Sequence, residues 1–251
     1  MIRKKGDVMK NYTIKLFVLL ISFIALWWLS AYLSLDILWF IIINLISVYI
    51  ILKYRKFDKV NTVVGIIFGG LCIPSSFIMG ISVVLPYIAS MMVFKDCTNK
   101  IFLYKNNKKN NFLNSILLIF VIGGILAIIN VILAMGSMTI NVSFKFKWIF
   151  DALCAGIFEE IFFRLFLFAL CIHLGNNKPL TTLQNIICYL IMIIPHVLIH
   201  FNLQTIHIDS VITLSILFGT PFAIMQRKFN LISAIGSHAF VDIVRFCIFS
   251  I

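Results

Sequence analysis

Apolar runs set the terms for this chain. Stretches near 16–35, 37–52, 60–94, 112–137, 148–172, 181–203, 211–226 and 231–250 are built largely of Ile, Leu, Phe and Val. A helix of about 20 such residues spans the hydrocarbon of a bilayer, and several of these runs reach that length. Composition agrees: 62% of the 251 residues are hydrophobic and only 12% are charged, with a mean hydropathy of +1.08. A soluble domain cannot hide that much apolar surface, because its exterior must still be wetted. The expected fold is therefore all-α, a polytopic transmembrane bundle of eight or nine spans. The ambiguity lies in 60–94, which reads either as one long bent segment or as a hairpin turning at Pro74 to Ser76. Both flanks of that run are basic, which favours an even number of crossings.

The net charge of +12 does not point to nucleic acid. The cations fall in short runs between apolar segments, "MIRKKGDVMKNYTIK", "KYRKFDK" and "YKNNKK", and no basic groove with interleaved aromatics accompanies them. This is the pattern of cytoplasmic loops under the positive-inside rule, so the N-terminus, the loop 173–180 and "QRK" at 226–228 are expected on the cytoplasmic side. The short loop from Asn202 to Asp209 is expected to face outward. The run from Leu16 to Leu35 is too long for a signal-peptide core and lacks a clear cleavage site, so it reads as the first span. The six cysteines form no CxxC pair and read as small buried hydrophobes.

Ionisable residues divide the chain unequally. The spans before residue 140 carry almost none, with Asp36 at a span edge. The last four carry Glu159, Glu160, Arg164, His196, His200, His238, Asp242 and Arg245. Each such group at bilayer depth costs roughly 2.5–3.5 kcal/mol on insertion scales unless it is paired or hydrated. Eight in one half imply a shared polar interior. The organisation read from this is an N-terminal set of helices with basic loops, 1–111, followed by a helical core, 112–251, that carries the polar cluster.

Glu159 and Glu160 are the only glutamates in the chain. On a helix, Glu160 and Arg164 are four apart and share a face, which would pair them and leave Glu159 turned about 100° away. His196 and His200, in "IPHVLIHF", are also four apart and share a face where that segment is helical. They read either as two metal ligands or as one catalytic histidine with a helical neighbour. His238, Asp242 and Arg245 form a third polar stripe, at i, i+4 and i+7. His173 and His207 lie at loop edges and read as packing residues.

The order of these elements, EExxxR, FxxxH and HxxxN/D, resembles the CPBP (Abi) family of intramembrane glutamate proteases, which includes the CAAX prenyl endopeptidases and bacteriocin-processing proteins. "EEIFFR" matches the first motif and "HAFVD" the third, in its Asp form. The second motif departs: His196 stands where the family usually has phenylalanine. His200 aligns with the catalytic histidine, and the alternative alignment, "MIIPH", ends instead at His196. The resemblance implies that Glu159 and His200 activate a water while His238 and Asp242 stabilise the oxyanion, with Glu160 and Arg164 completing the site. It covers roughly 112–250.

The implied activity is an intramembrane endopeptidase of a bacterial plasma membrane, acting on a peptide or membrane-protein substrate. Bacteriocin or pheromone maturation and self-immunity are the family's settings. No cofactor is expected. HExxH is absent, and a zinc site on His196 and His200 would need a third ligand such as His238 or Glu159. The rival readings are a non-catalytic scaffold, immunity or signalling-modulator protein of the same fold, and a proton-coupled transporter. The transporter predicts inverted repeats, and the sequence displays none convincingly.

Overall fold

A computed structural model describes residues 2–55, 57–95, 97, 99–104, 112–176 and 178–251, with side chains from Lys10 onward. The basic run "YKNNKK" lies outside the described residues from Lys105 on, as do Lys56 of "KYRKFDK", Asn177 of the 173–180 loop and the side chains at the start of the first basic run. All regular structure among the described residues is helical. The helices are α1 (Ile2–Leu33), α2 (Ile37–Tyr54), α3 (Lys59–Cys72), α4 (Phe77–Phe94), α5 (Phe112–Ala134), α6 (Lys147–Glu159) and α7 (Phe166–Leu174), followed by α8 (Thr182–Leu198), α9 (Ile208–Leu214), α10 (Thr220–Lys228) and α11 (Leu231–Phe249). A π turn, Glu160–Leu165, joins α6 to α7, and a second, Ser215–Gly219, joins α9 to α10. Among the described residues six helical stretches are long and apolar enough to cross a membrane, and α3 and α8 are shorter apolar helices. The protein is a multi-pass membrane protein.

The 60–94 run is a hairpin. Its arms, α3 and α4, meet backbone to backbone: a Cβ on Gly69 would stand 2.7 Å from the Gly80 carbonyl oxygen, and one on Gly80 2.8 Å from that of Gly69. Apolar helices in lipid gain little from hydrophobic burial against each other. Small residues that permit this approach supply dispersion contacts instead.

The chain divides into two compact units interleaved along the sequence. One comprises Lys59–Val84, Ile101–Ile161 and Pro221–Ile251. In it, α11 packs against both α5 and α6. Gly156 of α6 sets the register, since a Cβ there would lie 2.8 Å from the Ile235 carbonyl oxygen and 3.1 Å from the Ala239 nitrogen. One turn further along from Gly156, Glu159 and Glu160 come opposite His238. Both ends of α11 are satisfied. Asn230 caps it, accepting from Ser233 N–H at 2.7 Å and donating to Ser115 Oγ at 3.1 Å. At the other end the Cys247 and Ile248 carbonyls accept from Ser143 and Asn141 N–H. Those are groups a helix end otherwise leaves orphaned.

The other unit comprises Met1–Asp58, Leu85–Lys100 and Phe162–Thr220. Here α1 runs along α8 and is pinned at both ends. Tyr12 Oη donates to the Cys171 carbonyl at 2.8 Å, and Trp27 Nε1 to that of Phe201 at 3.1 Å. Thr181 and Gln184 form a capping box at the start of α8. Trp39 fills the interior, stacked on Phe23 and edge-on to Phe163. None of the described cysteines forms a disulfide, and apart from Cys247 they are buried.

Candidate active site

His238 organises the polar interior of the α5–α6–α11 unit. Its ring stacks on Phe222, with centroids 4.8 Å apart and planes 4° from parallel. Nδ1 lies 2.9 Å from Glu160 Oε1. An ionised carboxylate only accepts, so that contact puts a proton on Nδ1. The opposite edge, Nε2, stands 3.4 Å from Glu159 Oε2 and 3.6 Å from Asp242 Oδ2. Glu160 is wholly buried, whereas Glu159 and Asp242 are partly exposed. One carboxylate is thus engaged in fixing the imidazole, and two flank its outward nitrogen at distances longer than a strong hydrogen bond.

Gln226 completes the cluster. Its Nε2 donates to the Glu160 backbone carbonyl at 2.8 Å and to Glu160 Oε2 at 3.2 Å. That carbonyl belongs to the π turn, where the hydrogen-bond ladder is widened from i+4 to i+5. Such turns concentrate at functional sites. The sequence predicts plain α-helix over "EEIFFR" and gives no role to Gln226, at the end of the 211–226 run and the start of "QRK". Instead α10 continues to Lys228 and Gln226 is buried. The signal that could have found it is the i, i+4 pair Phe222 and Gln226, both turned to His238 and Glu160. The expected division of labour also changes, because Glu160 as well as Glu159 faces His238.

Arg164, His196 and His200 come together in the other unit. Arg164 is wholly buried, and its Nη2 lies 3.0 Å from His196 Nδ1. A guanidinium only donates, so Nδ1 accepts and the proton of neutral His196 sits on Nε2. The His196 ring meets Phe163 and His200 edge-on, at centroid distances of 5.9 and 5.3 Å. Pro195 lies inside α8, which ends at Leu198, and His200 follows in the next turn. His196 is buried and His200 exposed. His200 opens onto a cavity of about 310 Å³ walled by Trp27 and Trp39 and edged by Asp36, Asn202 and Thr205.

These placements bear on a metal. A ligating histidine offers a lone pair on one nitrogen and usually donates through the other. With Arg164 donating to Nδ1, that lone pair of His196 is engaged by the guanidinium. An ion on His196 would compete with the Arg164 contact, although His196 and His200 present ligand atoms within 4.8 Å of each other.

Residues 141–244 match the family model described as Type II CAAX prenyl endopeptidase Rce1-like. The matched stretch contains all seven candidate residues, Glu159, Glu160, Arg164, His196, His200, His238 and Asp242. Comparison with curated proteins and with solved structures gives no match.

Proposed function

We propose that this chain, a member of the CPBP family by its Rce1-like type II CAAX prenyl endopeptidase match over residues 141–244, is an intramembrane endopeptidase using Glu159 as general base. The supporting observation is the pose of His238. With Nδ1 tied to Glu160 at 2.9 Å and its face on Phe222, its Nε2 is held in a fixed direction, beside Glu159. In this reading Glu159 takes a proton from water, and the resulting hydroxide adds to the scissile carbonyl. The oxyanion accepts a hydrogen bond from His238 Nε2–H, and the proton on Glu159 passes to the departing amine. Donation from Nε2 while Nδ1 serves Glu160 requires a doubly protonated imidazole, whose charge Glu159, Glu160 and Asp242 offset. Orientation of the water by His200 rests on the motif order.

The bond cleaved belongs to a peptide or membrane-protein substrate, in a bacterial plasma membrane with the N-terminus in the cytoplasm. Maturation of a bacteriocin or peptide pheromone is the setting the family context supports. Catalysis is read as metal-free, supported by the engagement of His196 Nδ1 with Arg164. Glu159→Gln in a reconstituted cleavage assay is the direct test. Loss of general-base catalysis should lower the rate by about 10²–10⁴-fold with thermal stability retained, and undiminished cleavage removes the mechanism. A chelator should leave the wild-type rate unchanged. The unusual His196 favours one rival, a non-catalytic immunity or signalling protein. That reading wins if Glu159→Ala and His200→Ala chains still protect or signal normally in cells.

A further inference from the structure

A second cavity, of about 370 Å³, lies among α1, α2 and α7, at the end of these helices where Lys15 and Lys53 sit. Its walls are apolar, formed by Leu19, Ile46, Ile50 and Leu170. Its rim is cationic and polar: Lys15, Lys53, His173 and Asn176. No carboxylate is among the described residues that line it.

The hydrogen bonds at the rim show how its charge is held. Lys53 Nζ lies 3.4 Å from His173 Nε2 and 5.7 Å from the centre of the Tyr49 ring. An ammonium only donates, so Nε2 accepts and the His173 proton sits on Nδ1, where it meets Tyr54 Oη at 2.9 Å. Lys53 is thus positioned by a neutral imidazole and an aromatic face, with its charge uncompensated by either. Lys15, near the start of the first span, and Lys53, near the end of the second, bring two like charges to one cavity. That placement is favourable when an anion shares the cavity. Long lysine stems over apolar walls with heads at the rim mark a membrane–water boundary, and basic pockets between helices at that level suit anionic headgroups.

We propose that this cavity binds an anionic phospholipid, its phosphodiester between Lys15 and Lys53 and an acyl chain against Leu19, Ile46, Ile50 and Leu170. The assignment is independent of the peptidase reading. The experiment uses the full chain in a neutral detergent, titrated with phosphatidylglycerol and read by native mass spectrometry and thermal unfolding. Saturable binding that raises the melting temperature is expected, with phosphatidylcholine giving neither. The Lys15→Gln/Lys53→Gln double variant should raise the half-saturating lipid concentration by about tenfold or more. A control that removes the same charge elsewhere, Lys145→Gln/Lys178→Gln, should leave it unchanged. Lys15→Arg/Lys53→Arg should retain binding and shows that the Gln variant is not merely misfolded. Equal weakening by the control pair, equal binding of phosphatidylcholine, or full replacement by soluble glycerol phosphate overturns the proposal.

Discussion

His238 and His196 are the same side chain in opposite surroundings. His238 meets Glu160 at one nitrogen and has Glu159 and Asp242 around the other. His196 meets a buried guanidinium. A carboxylate neighbour asks an imidazole to donate, while an arginine neighbour asks it to accept. The first arrangement gathers protons and positive charge on the ring, as an oxyanion donor requires. The second fixes a neutral tautomer and holds an arginine in an apolar interior. One histidine is suited to chemistry and the other to holding the structure, and only the partner on the adjoining helix distinguishes them.

Substitution should separate those two roles. The largest structural loss is expected for Glu160→Ala, which strands His238 and Gln226 in the interior. Breaking a buried charged contact of this kind costs about 3–5 kcal/mol, measurable by reversible unfolding in detergent micelles. A cost near that of a surface change would mean that Glu160 does not anchor the ring. Next, His196→Ala removes the acceptor from Arg164 and should cost about 1.5–3 kcal/mol. His200→Ala, at an exposed position, should stay within about 0.5 kcal/mol while abolishing cleavage. If His196→Ala instead spares stability and removes activity, the two histidines exchange roles.

Gln226→Leu tests the donor on the π-turn carbonyl. About 1–3 kcal/mol is expected, and its cleavage rate reports whether the turn aims Glu159. Among the buried positions the smallest effect should come from Asn230→Ala at the start of α11, about 1 kcal/mol for a lost cap. Backbone hydrogen exchange should show that loss confined to the first turn, with His238, two turns on, keeping its protection. Spread of the loss along α11 would show that the cluster depends on the cap.

Much of this was legible in the chain itself. The apolar runs dictated membrane-spanning helices, because backbone groups in lipid must bond within their own segment. The basic flanks of 60–94 favoured an even number of crossings, and the hairpin of α3 and α4 agrees. Glu159, Glu160, His238 and Asp242 stood out because ionisable groups are costly in such runs, and their spacing on α6 and α11 survives in the cluster. Gln226 did not stand out. Beside Arg227 and Lys228, at the end of the 211–226 run, it had nothing to mark it as a site residue, and its burial comes with the face of α10 that it shares with Phe222. Phe222 was one of 25 phenylalanines, with nothing local to mark it as the plate beneath His238.

Hydropathy and charge spacing are properties of a segment, so the sequence by itself determined the helical membrane architecture, the polar character of the second half and the candidate residues. Contacts between segments belong to the fold. Whether Glu160 meets a histidine or an arginine depends on how α11 is seated on α6, and that seating follows from the absence of a side chain at Gly156. The π turn, the tautomers of His196 and His238 and the basic cavity beside Lys53 were likewise decided only in three dimensions. Hydrogen-bond direction is set by the partner, and partners more than 30 residues apart meet only when helices pack.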